Sequence, residues 1–369
     1  MKKAALLLLS LCSGFVQAQE LKAPVGVRPC CAFGVDLKAQ LGSVPVPFFS
    51  LENVLSSNEV GTHHYNDGSE SVSGSLLGLN EEANGIIFTE LGGFIDTAHV
   101  RDTADYTYYL FTLNQHYLGR AAHLDLPEEL RVRRIRWYEQ KEKLSEEEKL
   151  DRSAQAAALT AFRLAQWHEI AQWFGMVSVS GFKELASAFS SEDLYSNMLG
   201  AKLAKQVLLD NPELDQKGFS KAMDSAFKQA LKDLKAQSKA ITKEKIQELD
   251  GNWWDSSRRL PDKWVVRFRD YHMALNLTPN YPTASHELSL SATFANQQPI
   301  DQWMSVEFRA NDKENAFSEL PKSLTSKSIW TPEDYQQISD FARSVDNKTR
   351  PHSNKDSLYK MNRYCLVMH

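Results

Sequence analysis

The segment from about Asp151 to Phe174 limits the possible folds more than any other. It places five alanines in the eight positions from Ala154 to Ala161, then spreads Leu159, Phe162, Leu164, Trp167, Ile170, Trp173 and Phe174 around a whole helix before Gly175 ends it. A helix with one apolar stripe lies on a surface, whereas one that is apolar on most faces has to be enclosed by other elements. The chain is therefore expected to wrap a central buried helix. Helices to enclose it are predicted at about Glu192 to Leu209, started by Ser190-Ser191-Glu192-Asp193, and through Phe219, Met223, Phe227, Ala230 and Leu234, which recur at helical spacing. Pro127-Glu128-Glu129 and Ser145-Glu146-Glu147-Glu148 look like two further helix starts, within a stretch (127–150) charged enough to be expected in solvent.

Strand signals lie on either side of these helices. Gly85-Ile86-Ile87-Phe88-Thr89 is a short β-branched run, and Gly92-Gly93 should turn the chain into a helix beginning near Phe94 or Ile95. Trp264 to Phe268, Leu288 to Phe294 and Ser305 to Phe308 carry period-2 or compact β-branched patterns, which predict a small antiparallel sheet in the C-terminal third. Together these give an α+β fold, predominantly α-helical. Beyond residue 18 the chain reads as one domain (19–369), with a loop- and strand-rich part (19–90), a helical core (91–250) and a strand-containing part (251–369).

Lys2 and Lys3, the apolar run Ala4 to Leu11 and the compact residues of Val16-Gln17-Ala18 form the pattern of a cleavable signal peptide over residues 1–18. No run approaches the roughly 20 apolar residues that a membrane-spanning helix needs. An exported, soluble protein is expected, with the periplasm as its compartment. Leu11 stands before Cys12 where a lipid-bearing cysteine needs a small residue, which argues against a lipoprotein anchor. Loss of Lys2 and Lys3 takes the net charge from −5 to −7, a balance that disfavours nucleic acid as a partner. Three cysteines then remain. Either Cys30 or Cys31 pairs with Cys365 in an oxidising compartment, or the thiols are reduced and buried. Without CxxC spacing they make a poor zinc site.

Three helical segments combine ligand-type side chains with apolar surroundings. In the first, Asp96, His99, Asp102 and Asp105 recur every third residue, so adjacent members can face one cavity. The second, Trp167-His168-Glu169-Ile170-Ala171-Gln172, lies on the buried helix, where an imidazole and a carboxylate have to be paired or coordinating. It begins like the zinc-protease helix His-Glu-x-x-His, but Gln172 stands where the second histidine should be, so that mechanism does not transfer. In the third, Glu192, Asp193 and Asn197 open a helix in which Gly200 and Ala201 would let a neighbour approach closely. Each segment also has a purely structural explanation. The three together suit a centre assembled between helices: His99, His168 and Glu192 as ligands of a divalent metal, zinc by its donor set, Glu169 as general base, and Asp102 or Asp105 orienting an imidazole. Asp96, Asp193 and Asn197 are further candidates. His63-His64 falls in a polar loop and is expected to be solvated, and Trp253-Trp254 is expected to pack. No nucleophile elbow, phosphate loop or dinucleotide fingerprint occurs.

Arg28-Pro29-Cys30-Cys31-Ala32-Phe33-Gly34, the Gly-Gly-Phe-Ile-Asp-x-x-His-x-Arg-Asp run from Gly92, the Trp-His-Glu helix and the Phe-Ser-x-Glu-Asp-Leu-Tyr-Ser-Asn stretch from Phe189 resemble the bacterial family catalogued as domain of unknown function 4056. That resemblance implies an exported or envelope-associated bacterial protein and transfers no catalytic residue. The residues themselves lead to the expectation of a metal-dependent hydrolase acting on an envelope peptide, glycan or lipid-linked substrate. Two alternatives stay open: a non-catalytic envelope binding or assembly factor whose polar cluster pins helices together, and a metal-free glycan-cleaving enzyme using Glu169 and Glu192 as paired carboxylates.

Overall fold

The computed structural model describes residues 21–26, 28, 32–46, 53–68, 82–177, 183–311 and 315–351. The expected signal segment, Cys12 and the pairing of Cys30 or Cys31 with Cys365 lie outside the described residues. In chain order, a hairpin of β1 (Ile86–Thr89) and β2 (Gly93–Asp96) leads into helix α1 (Thr97–Tyr117), and a second hairpin of β3 (Ala122–Glu129) and β4 (Arg131–Trp137) follows. Then come α2 (Glu146–Trp173), α3 (Asp193–Asp210), α4 (Gln216–Asp233) and α5 (Lys239–Glu248), and the last stretch supplies β5 (Met304–Arg309), the short α6 (Lys322–Thr325), β6 (Ile329–Trp330) and α7 (Tyr335–Thr349).

Helix α2 is the enclosed one. It starts on a capping box, in which Ser145 Oγ accepts from the Glu148 N–H and Glu148 accepts from the Ser145 N–H. Ala154, Ala156, Ala157, Ala158, Leu159, Phe162, Trp167 and Ile170 are fully buried. Helices α1 and α3 pack against it and against each other, while on the sheet side Trp167 stacks on Phe308 of β5 with ring centroids 4.2 Å apart. Burying each such large side chain contributes roughly 2–3 kcal/mol. The sheet is antiparallel in the order β6-β5-β4-β3, so the architecture is α+β.

Several local expectations are corrected. Pro127-Glu128-Glu129 ends strand β3 and does not start a helix; Leu130, at a left-handed φ of 59°, turns the chain into β4. Nor is this charged stretch wholly solvated. Along β4 the inward positions are Arg131, Arg133, Ile135 and Trp137, all buried. The period of two sets which residues face inward, and the two arginines are tolerated there because each has a partner. Arg131 lies 3.3 Å from the Trp330 ring centre, and Arg133 pairs with Glu129 at 2.8 Å. No helix begins at Phe94 or Ile95, because β2 intervenes and the cap falls at Asp96. Trp264 to Phe268 contributes only a 3-10 turn at Lys263–Val265, and of Leu288 to Phe294 only Leu288–Ser289 is strand. The sheet is thus not drawn from the final third alone, since two of its four strands come from 122–137. His63 is buried, not solvated, with Nε2 3.0 Å from Asp105 Oδ1. Trp253 and Trp254 pack in a second apolar cluster with Phe33 and Phe94, which also receives Ile86 and Phe88 of β1.

Candidate metal centre

The β1–β2 hairpin sets the first half of the site. Gly93, at φ +67°, makes the tight turn, and β2 delivers Asp96 to the N-terminus of α1, where its Oδ1 accepts from the N–H groups of Ala98 (2.7 Å) and His99 (3.4 Å). His99 follows within the first turn. The second half is the start of α3, which crosses α1 closely because position 200 is glycine: a Cβ there would collide with the carbonyl of Val100. This crossing brings Asp193 and Asn197 to the imidazole. His99 Nε2 lies 3.4 Å from Asp193 Oδ1, and the Asn197 side-chain amide is hydrogen-bonded to His99 Nδ1 at 3.1 Å. Thr103 Oγ1 donates to Asn197 Oδ1 at 2.7 Å and so fixes the amide. From α2, Glu169 places Oε1 3.9 Å from His99 Nδ1, while its Oε2 accepts from the N–H of Phe189 at 2.7 Å. Phe189 holds that N–H at a left-handed φ of 57°, a conformation that costs a side chain roughly 1–2 kcal/mol. Glu192 accepts from Ser190 Oγ at 2.8 Å and from Ser191 Oγ at 3.2 Å.

Four carboxylates therefore meet around one imidazole, and Asp96, Glu169, Glu192 and Asp193 are each no more than 3% exposed. Donor atoms of Asp96, His99 and Asp193 all lie within 4.8 Å of one another. Two like charges about 4 Å apart repel by about 4 kcal/mol even at an effective dielectric near 20. Burial, together with Glu169, Glu192 and Asp96, holds the Asp193 carboxyl well above the ordinary range; burial also raises Glu169 and pushes Glu192 up to about 7. Arg269 offsets little of this. Its N–H groups go to the carbonyls of Ala188, Leu185 and Lys263, and its Nε faces Asp346 at 3.7 Å.

These residues fit a divalent cation. Neither oxygen of Asp193 has a protein hydrogen bond, and neither does Glu169 Oε1. Protonation of one oxygen would neutralise a carboxyl yet leave its other oxygen still without a donor, whereas a cation satisfies the oxygens directly. One nitrogen with a surrounding set of oxygens is a donor set that zinc accepts, and its oxygen majority also suits manganese.

His99 and Asn197 also line a narrow cleft with Asp102, Glu129, Arg133 and His168, whose volume of about 30 Å³ holds one or two waters. His168 is placed differently from the expected ligand trio. Its Nδ1 lies 3.2 Å from Glu129 Oε1. Burial alone would lower its pKa, but the Glu129 carboxylate raises it to about 9, so this imidazole is charged and ion-paired. Asp102 and Asp105 do not orient His99 either. Arg28 reaches Asp102 at 2.7 Å and Asp105 at 2.9 Å, and Asp105 also binds His63.

The structure thus gathers His99, Asp96, Asp193, Asn197, Glu169 and Glu192, and sends His168, Asp102 and Asp105 to other partners. Sequence reasoning overlooked Arg28, Glu129, Arg133 and Arg269. The alternation Arg131-Val132-Arg133-Arg134-Ile135 was the available signal for Arg133, since its period places an arginine beside Ile135 on the inner face. Arg28 opens one of the motifs that carry the family resemblance, and nothing local in the sequence marks Glu129 or Arg269.

A family model described as a protein of unknown function (DUF4056) matches residues 18–283, which includes every residue of the carboxylate and histidine cluster. No curated protein and no solved structure matches the chain.

Proposed function

Because the chain belongs to the DUF4056 family, proteins of unknown function, its activity has to be argued from its own residues, and we propose that it is a metal-dependent hydrolase whose divalent cation is held by Asp96, His99 and Asp193. The observation that carries this is the Asp193 carboxylate, which is enclosed, faces His99 and has no protein hydrogen bond at either oxygen. A cation there would polarise a scissile carbonyl or phosphoryl oxygen and acidify a bound water. Glu169 Oε1, buried beside His99 and without a protein hydrogen bond, would take the proton of the attacking water and return it to the leaving group. Asn197, locked by Thr103, sets the orientation of the imidazole. The cleft beside His99 is the route of approach, with the His168–Glu129–Arg133 set on its wall. Export to the periplasm, as the first 18 residues lead one to expect, would make the substrate an envelope peptide, glycan or lipid-linked molecule.

Elemental analysis of the purified protein tests this reading. A first-row divalent cation is expected, with chelation lowering the melting temperature and Asp193→Asn abolishing binding. Turnover on a panel of esters, amides, glycans and phosphoesters should vanish with the metal. Turnover that survives complete chelation would overturn the assignment. A second reading is favoured by the small cleft and by the Thr103–Asn197–His99 chain joining α1 to α3: the cluster is a helix-pinning network in a binding factor. In that case no preparation holds a cation, and Asp193→Asn raises the melting temperature because an amide cannot ionise in this buried site and can donate to the neighbouring carboxylates.

A further inference from the structure

We infer that the cleft beside His99 is a carboxylate-binding subsite, in which His168 Nε2–H and the Tyr106 hydroxyl hold a carboxylate of the substrate. This rests on the reading of the cleft as the route of approach, and it narrows the substrates proposed above to those with a free carboxylate close to the scissile bond.

The first ground is the set of hydrogen-bond donors that the cleft leaves unused. Arg133 gives Nε to the carbonyl of Pro127 and its two terminal nitrogens to Glu129 and the Tyr106 oxygen. Arg28 is occupied by Glu82, Asp102 and the His64 carbonyl. His168 differs from both. Its Nδ1 is held by Glu129 Oε1 at 3.2 Å, whereas Nε2 has no protein partner among the described residues, and the part-exposed ring lines the cleft. Tyr106 lines the same cleft; it accepts from Arg133, and its own proton has no acceptor among the described residues. Two donors on one small space call for a group that only accepts, and a carboxylate offers two such oxygens.

The second ground is the character of the His168 donor. Burial works against a charged ring, but Glu129, with smaller contributions from Glu184 and Glu169, raises its pKa to about 9. Both ring nitrogens then carry protons, and a charged N–H binds an anionic oxygen more strongly than a neutral one does. The ionised walls otherwise balance, with Arg28, Arg133 and His168 against Asp102, Glu129 and Glu184. Recognition therefore depends on where the unused donors are placed, not on a net field.

Shape supplies the third ground. Helix α2 turns Ala161, Leu164, Ala165, His168 and Gln172 to the cleft, positions that share one helical face. The space of about 30 Å³ takes the flat head of a carboxylate more readily than the four oxygens of a tetrahedral phosphate. His99 and Asn197 line that same space. A carboxylate held by His168 thus lies only a few bonds from a group at His99, and the molecule is cut at its carboxylate-bearing end.

Formate, the smallest carboxylate, is the probe, added to chelated protein so that no cation can bind it. Nuclear magnetic resonance spectra of the imidazole nitrogens should show a saturable shift of the His168 Nε2 signal. The signal is identified by its loss in His168→Gln, and in the wild-type protein alone by a ring that stays protonated to about pH 9. Tyr106→Phe should keep the signal and weaken formate binding roughly 3- to 10-fold, the effect of losing one hydrogen bond. Inorganic phosphate should leave the signal in place. A His168 signal that formate does not move, or that phosphate moves further than formate, overturns the subsite. Cation content judges the metal reading separately: protein that retains a cation but ignores formate loses the subsite alone, and protein that binds formate but never holds a cation keeps the carboxylate site and loses the hydrolase reading.

Discussion

Glu82 and Asp193 are both largely buried carboxylates, and their neighbours give them opposite properties. Glu82 receives Arg28 Nε at 2.6 Å and the His64 N–H at 3.0 Å, and although burial pushes its carboxyl up, Arg28 and Arg101 hold it well below the ordinary value of 4.5. Asp193 has no such donor, and burial raises it. The two differences lead to different measurements. For Glu82 the unfolded chain binds its proton first as pH falls, so the stability contributed by this ion pair is complete above about pH 4.5 and is lost progressively toward the depressed folded value. Glu82→Gln is therefore expected to cost about 2–3 kcal/mol at neutral pH, because a charged hydrogen bond is removed while Arg28 keeps Asp102 and Asp105. It should also flatten the acid limb of stability measured by urea unfolding from pH 6 downward. An acid limb as steep as that of the unsubstituted protein would show that other carboxylates govern acid unfolding. On the metal reading proposed above, Asp193→Asn is by contrast expected to act through cation content, its effect on stability in urea unfolding reversing sign between metal-loaded and chelated protein.

At the level of elements, α1 shows why spacing alone could not assign partners. Each step of three residues rotates a side chain by about 60°, so Asp96 and Asp105 end up about 180° apart around the axis. The helix accordingly divides its polar residues, with Asp96 and His99 turned toward α3 and Asp102 and Asp105 toward Arg28. The same geometry governs the α1–α3 crossing. Gly200→Ala puts a methyl group against the carbonyl of Val100, and a backbone carbonyl cannot rotate away as a flexible side chain would. We expect a loss of about 3 kcal/mol in urea unfolding, together with weakened metal binding, since Asp193 and Asn197 sit on the displaced helix. Unchanged stability would mean that the two helices are farther apart than described. In the β3–β4 hairpin, alternation and charge point in opposite directions, and alternation prevails because Trp330 and Glu129 are positioned to receive the inward arginines.

Across the whole molecule, residues beyond the family match complete the core of the part inside it. The match ends at residue 283, yet β5 (Met304–Arg309) pairs with β4 along six residue positions, and Phe308 covers Trp167. Asp346 on α7 accepts from Trp173 Nε1, Tyr271 OH and Lys263 Nζ, tying the last helix to the end of α2. A chain cut after residue 283 is thus expected to expose Trp167 and to lose its cooperative unfolding transition in near-ultraviolet circular dichroism; a sharp transition at the original midpoint would show that the matched region folds alone. The central helix α2 and helices α3 and α4 could be read from the sequence because apolar residues around a helix, or at its 3.6-residue period, report burial directly. The acidic and imidazole residues of the cluster could be singled out for the related reason that polar groups inside apolar helices need partners. Which groups would become those partners was decided only by tertiary structure. His168 and His99 lie on different helices in similarly apolar surroundings, yet one faces Glu129 across β3 and the other faces Asp193 across α3. The sequence determined that these side chains must be neutralised, since desolvation is a property of each group and its local burial. The packing of helix on helix and helix on sheet determined by what, because electrostatic pairing depends on distances between residues far apart in the chain.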